Sequence, residues 1–122
     1  CLSLLCSLLG TPFEPDLDDK ILFWEEIGEE PFRIDRYLYQ LRLAGKLRRL
    51  RGMLVGRLVD CQPRDRRRAL PLRGIISDVL EGYRYPVVLG LPFGHARGRW
   101  TLPVGYDAAI DTGKGAVRIT AP

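Results

Sequence analysis

Three short apolar runs punctuate this chain: "ILFWEE" (21–26), "GMLVGRLVD" (52–60) and "PVVLGL" (86–91). Each is rich in β-branched, aromatic or leucine side chains and is the length of one buried strand. Helix-patterned stretches separate them, and apolar strands joined by helical crossovers belong in a sheet covered by helices. A helix is predicted over about 31–44. Pro31 suits its first turn, and Glu29 and Glu30 sit at its positive end. Phe32, Ile34, Leu38, Leu41 and Leu43 supply its apolar residues, with Arg33, Arg36 and Arg42 mostly outside and Gly45 as the stop. A shorter helix is predicted over 74–83, with Ile75, Ile76, Val79 and Leu80 inward. A further helix opens the chain, where Leu2, Leu4, Leu5, Leu8 and Leu9 recur at helical spacing before Gly10. The Gly/Pro/Asp density of "GTPFEPDLDDK" excludes regular structure. Beyond residue 91 the texture changes to strand-like pieces, "RWTLPVG", "YDAAIDT" and "GAVRIT", separated by Gly105 and the "TGKG" turn. The expected fold is therefore α/β: a small mixed-sheet domain with flanking helices and a C-terminal β meander.

At 122 residues the chain has the size of one domain, 1–122, and its 46% hydrophobic and 28% charged residues exclude disorder. No apolar stretch is long enough to span a membrane. The chain begins at Cys1, with helix-spaced leucines immediately after, so it is expected to be a piece of a longer protein. Cys1, Cys6 and Cys61 form no CxxC pair, which argues against zinc and a disulfide framework and for reduced, mostly buried thiols. The net charge is +4, unevenly spread. Nine of the fifteen acids fall in residues 14–35, and arginines crowd "KLRRLRG" (46–52) and "RDRRRALPLR" (64–73). Such clusters raise the possibility of a basic, non-enzymatic binding module. No aromatic residues interleave with them, so solvated loops are the expectation, without nucleic-acid or membrane partners.

His95 is the one histidine. It follows the third apolar run in a Pro-Phe-Gly-His turn, and glycines 94 and 98 let the backbone turn sharply and leave the ring accessible. Loops after strands are where α/β proteins place reactive groups. A histidine acting as a base needs a partner that fixes its tautomer. Glu25 and Glu26 end another apolar strand, and adjacent strand residues point to opposite faces, so at most one of them can share a pocket with His95. No nucleophile is evident. Ser3, Ser7 and Ser77 lie inside predicted helices, none in a strand-to-helix elbow, where serines commonly bond their own backbone. Cys61 follows a strand and is the best-placed thiol, but nothing basic is arranged beside it.

Three stretches together resemble the C-terminal domain of the LD-carboxypeptidase family, serine peptidases that include the microcin-immunity peptidases. They are "LSLLCSLLGTPFEPDLDDKILFWEE" (2–26), "GEEPFRIDRYLYQLRLAGKL" (28–47) and "LGLPFGHARGRWTLPVG" (89–105). The resemblance implies a swivelling β/β/α-like domain that forms the C-terminal half of a two-domain serine carboxypeptidase. That enzyme would cleave the L,D-amide before the terminal D-alanine of murein tetrapeptide. The front domain, absent from this chain, would carry the serine. This domain would supply Glu25 and His95 in a Ser-Glu-His triad, with Glu26 as the fallback acid. It further implies no metal or organic cofactor, a cytoplasmic role in cell-wall recycling and a homodimer. An alternative within the family is a peptidase acting on a peptidyl-nucleotide antibiotic, against which Trp100 could stack. The chain departs from the family's pattern at Cys1, which stands at an Asn position, and at Phe32, which replaces the commoner Tyr.

Overall fold

A computed structural model describes residues 1–65, 67 and 71–120. Part of the second arginine cluster, including Arg66 and Arg68, lies outside the described residues. The elements run α1 (Leu2–Ser7), β1 (Ile21–Trp24), α2 (Pro31–Leu43), β2 (Gly52–Gly56), α3 (Leu72–Val79), β3 (Val87–Leu91), β4 (Asp107–Asp111) and β5 (Ala116–Thr120).

β1, β2 and β3 form one parallel sheet in the order β1-β2-β3. Strand alternation gives that sheet two distinct faces. Leu22 and Trp24 of β1 and Met53 and Val55 of β2 point to one face, where they share a core with Leu2 and Cys6 of α1, Ile34, Leu38 and Leu41 of α2, and Ile75, Ile76 and Val79 of α3. Phe23, Leu54 and Gly56 belong to the other face, and Phe23 meets Phe93 edge-on with ring centroids 5.7 Å apart. The helices thus cover one side, and the turn after β3 covers part of the other.

The α/β class matches the expectation, with corrections in detail. The strands divide between two sheets, because β4 and β5 pair antiparallel as a separate hairpin. "RWTLPVG" is not a strand, so the meander reduces to that hairpin; the Trp100 N–H is bonded instead to the Pro92 carbonyl at 2.6 Å. The first two strands are shorter than their apolar runs, although an isolated parallel bridge, Ile27 to Val59, continues the β1–β2 direction. α3 starts two residues early, with Pro71 at its N-cap. In α2, Phe32 and Leu43 are exposed, not inward. The helix ends as expected at Gly45, whose N–H bonds to Arg42 O while that of Lys46 bonds to Leu41 O, a paired closure of the last turn.

Candidate active site

The parallel strands all finish at one edge of the sheet, and the two sequence candidates meet there. Glu25 follows β1 directly. It is two residues beyond Phe23, so alternation sends its side chain to the Phe93 face. His95 comes from the turn after β3, on the far side of β2. Neighbouring strands stand about 4.8 Å apart, so the turn must cross roughly two strand spacings to reach Glu25. Gly56, at the end of the central strand, permits the crossing. A Cβ there would lie 2.7 Å from the Phe93 ring and 2.9 Å from the Phe93 carbonyl oxygen. The space that a side chain would fill is occupied by Phe93, which is buried.

His95 Nδ1 stands 2.8 Å from Glu25 Oε2, and the His95 backbone N–H donates to the same oxygen at 3.3 Å. An ionised carboxylate only accepts, so Nδ1 carries the proton and Nε2 is left as the acceptor. The Glu25 side chain is 10% exposed and that of His95 46%. The acid is held inside while the ring opens outward, away from this domain's core. Burial alone would raise the Glu25 pKa. Hydrogen bonding, led by the His95 imidazole, outweighs it and holds the carboxyl below its ordinary value of 4.5. The sign follows from linkage. A depressed folded-state pKa contributes stability above the ordinary value, and this is lost as pH falls through the folded-state value. Acid unfolding should therefore steepen below about pH 4.5 in the wild-type chain and less so in Glu25→Gln, as urea titrations at a series of pH values would read.

Gly94 sits against this pair. Its φ is +94°, and a Cβ would come within 2.6 Å of Glu25 Oε2. Gly94→Ala is expected to destabilise the fold by about 1–3 kcal/mol from the strained backbone and also to push the carboxylate off the imidazole. Chemical denaturation measures the first effect, and the imidazole NMR shifts of His95 report the second.

Glu26 points the other way, as alternation requires. It is 1% exposed. Its Oε1 accepts from the Ser3 N–H at 2.6 Å and the Ser3 hydroxyl at 2.8 Å, tying α1 to the end of β1. Glu26 is an anchor, and Ser3 is engaged by it. The Ser7 hydroxyl donates to the Leu4 carbonyl at 2.7 Å, within its own helix. Ser77 lines a groove of about 760 Å3 between α3 and β3 that includes neither Glu25 nor His95. Cys61 is buried, donates to the Val59 carbonyl at 3.2 Å and has its thiol pKa raised, chiefly by burial, so it is a poor nucleophile. Cys6 is buried too, its pKa raised by burial to about 11.

Two of the three free thiols are buried, as expected, and Cys1 is the third. It is exposed, and its Sγ lies 3.4 Å from Glu25 Oε1. Neither this contact nor the roles of Gly56 and Phe93 was foreseen. The one available signal was the pair of glycines, 52 and 56, on a single face of β2. In the first arginine cluster, Arg49 pairs with Asp18 and Asp19 at 3.1 Å and Arg51 with Asp19 at 2.8 Å, so much of that charge is answered within the domain.

The LD-carboxypeptidase C-terminal domain family matches residues 1–110. The chain belongs to that family. As an LD-carboxypeptidase C-terminal domain it is 41% identical over 120 residues to a probable murein peptide carboxypeptidase of Bacillus subtilis, covering 98% of this chain and 38% of that protein. It is 30% identical over 122 residues to the microcin C7 self-immunity protein MccF of Escherichia coli, covering 98% of this chain and 34% of the relative. The chain thus spans little more than a third of the length of either curated relative. Among solved structures, the muramoyltetrapeptide carboxypeptidase from Oxalobacter formigenes superposes with a TM-score of 0.85 at 33% identity, covering 99% of this chain and 44% of that one. The apo structure of MccF superposes at 0.88 with 23% identity over 99% of this chain and 36% of that one, a likeness of fold. Among the described residues no helix is long and apolar enough to cross a membrane.

Proposed function

We propose that this domain is the base-supplying half of a two-domain serine carboxypeptidase that removes the terminal D-alanine of murein tetrapeptide. The observation that carries the reading is the 2.8 Å bond between Glu25 and an outward-facing His95, in a chain 41% identical to a probable murein peptide carboxypeptidase. A serine on the other domain would attack the carbonyl carbon of the L,D-amide. His95 Nε2 would take the hydroxyl proton and then give it to the departing D-amino acid nitrogen, leaving an acyl-enzyme that water hydrolyses. Glu25 would stay ionised, hold the Nδ1–H tautomer and stabilise the imidazolium. The glycine-flanked turn serves this arrangement by carrying the imidazole across the sheet end to a domain boundary. A cytoplasmic, homodimeric enzyme without metal or organic cofactor completes the proposal.

The three serines of this chain support a nucleophile located elsewhere: two are bonded away from His95 and the third lies in a different groove. The 122-residue chain alone should therefore release no D-alanine from murein tetrapeptide, while the two-domain protein does. The assay is D-alanine release from each preparation, and clear turnover by the isolated chain would overturn the assignment. The alternative substrate, a peptidyl-nucleotide antibiotic, draws on the 30% identity to MccF and on Trp100, whose side chain is exposed beyond the His95 turn. Competing the two substrates against one another ranks the readings.

A further inference from the structure

Three different metal-ligating side chains converge at the sheet end: the Cys1 thiol, the Glu25 carboxylate and the His95 imidazole. Their ligand atoms all lie within 4.8 Å of one another. The Cys1 sulfur is 3.4 Å from Glu25 Oε1, and Glu25 Oε2 is 2.8 Å from His95 Nδ1. In a tetrahedral zinc site, Zn–S and Zn–N distances of about 2.3 and 2.0–2.1 Å set ligand atoms roughly 3.3–3.6 Å apart. The cluster reaches that spacing by side-chain adjustment of about an ångström, and two of its members, Cys1 and His95, are exposed. Thiolate and carboxylate together would balance a divalent charge, and a neutral imidazole would complete a three-ligand set with a fourth position open to water.

We propose that Cys1, Glu25 and His95 form a binding site for Zn2+ or a similar thiophilic divalent cation, and that its occupation shuts the dyad off. The cation displaces one proton, that of the Cys1 thiol, to solvent. His95 binds through Nδ1 and its own proton moves to Nε2, the nitrogen that must be bare to accept a proton from a nucleophile. The occupied site therefore holds the wrong tautomer. The shut-off rests on the peptidase reading above; the binding site does not.

Binding is tested on the 122-residue chain with its thiols reduced, by calorimetric titration with Zn2+ and by absorption with Co2+, whose thiolate charge-transfer band reports sulfur ligation. One ion per chain is expected, with about one proton released and Cys1 protected from alkylation. Loss of a ligand should weaken binding by at least about 100-fold, the upper end of what outer-shell partners contribute. Cys1→Ser and His95→Asn should both show that loss while unfolding at wild-type denaturant concentrations without metal. An N-acetylated chain should retain binding. No binding at micromolar Zn2+ would overturn the site. So would binding that survives His95→Asn or vanishes on acetylation, because Cys1 alone can chelate through its amine and thiol. In the two-domain protein, Zn2+ should suppress D-alanine release, with recovery on adding a chelator and resistance in Cys1→Ser relative to its own metal-free rate. Binding without inhibition would overturn the shut-off. A protein with no D-alanine release before zinc is added would instead refute the peptidase reading and leave the binding result standing.

Discussion

In the proposed two-domain enzyme, Glu25→Gln is expected to lower kcat by roughly 10⁴-fold, the scale of loss when a triad carboxylate becomes an amide, with KM little changed. Glu26→Gln lowers it far less. Glu25 fixes the proton of His95 on Nδ1 through a 2.8 Å bond. An amide in its place can turn its NH2 to the ring, hold the proton on Nε2 and remove the charge that stabilises the imidazolium. The loss falls on the transition state, hence on kcat. Glu26 faces the helices, and glutamine keeps an oxygen that can accept both Ser3 donors. Steady-state kinetics of the two variants side by side measures this, and the reverse ranking would move the role to Glu26.

Only the split between the two acids was legible from period-two alternation; the choice of Glu25 over Glu26 came from the family resemblance, because alternation does not say which face His95 meets. Residues 21, 23 and 25 share one face and 22, 24 and 26 the other, and no tertiary contact is needed to say so. The helices were legible in position but less so in orientation. At 100° per residue, Phe32 and Leu43 lie about 160–180° from Ile34. Residue type argued for burial at both, while the angle argues for the exposure observed. The closing contacts of the site were not legible, since they depend on strand order. Only with β2 between β1 and β3 does Gly56 become the passage for Phe93. Likewise, Cys1 reaches Glu25 across 24 residues of chain, through the docking of α1 on the end of β1, where the Leu2 N–H bonds to the Glu25 carbonyl at 3.2 Å.

His95→Asn carries the largest expected effect. Removing the base of a serine triad costs on the order of 10⁶ in kcat, about as much as removing the triad entirely. The fold should be nearly untouched. The His95 side chain is 46% exposed, so little packing is lost, and an asparagine amide can still donate to the Glu25 carboxylate. Stability and activity therefore separate in this variant. The decisive measurement is single-turnover D-alanine release from murein tetrapeptide with the two-domain protein in excess, for wild type and His95→Asn, with unfolding midpoints determined on the same preparations. The expected result is one equivalent released by the wild type, none by His95→Asn over the same period, and matching midpoints. A normal single turnover by a folded His95→Asn would mean that the Glu25–His95 pair is structural and that the base lies elsewhere.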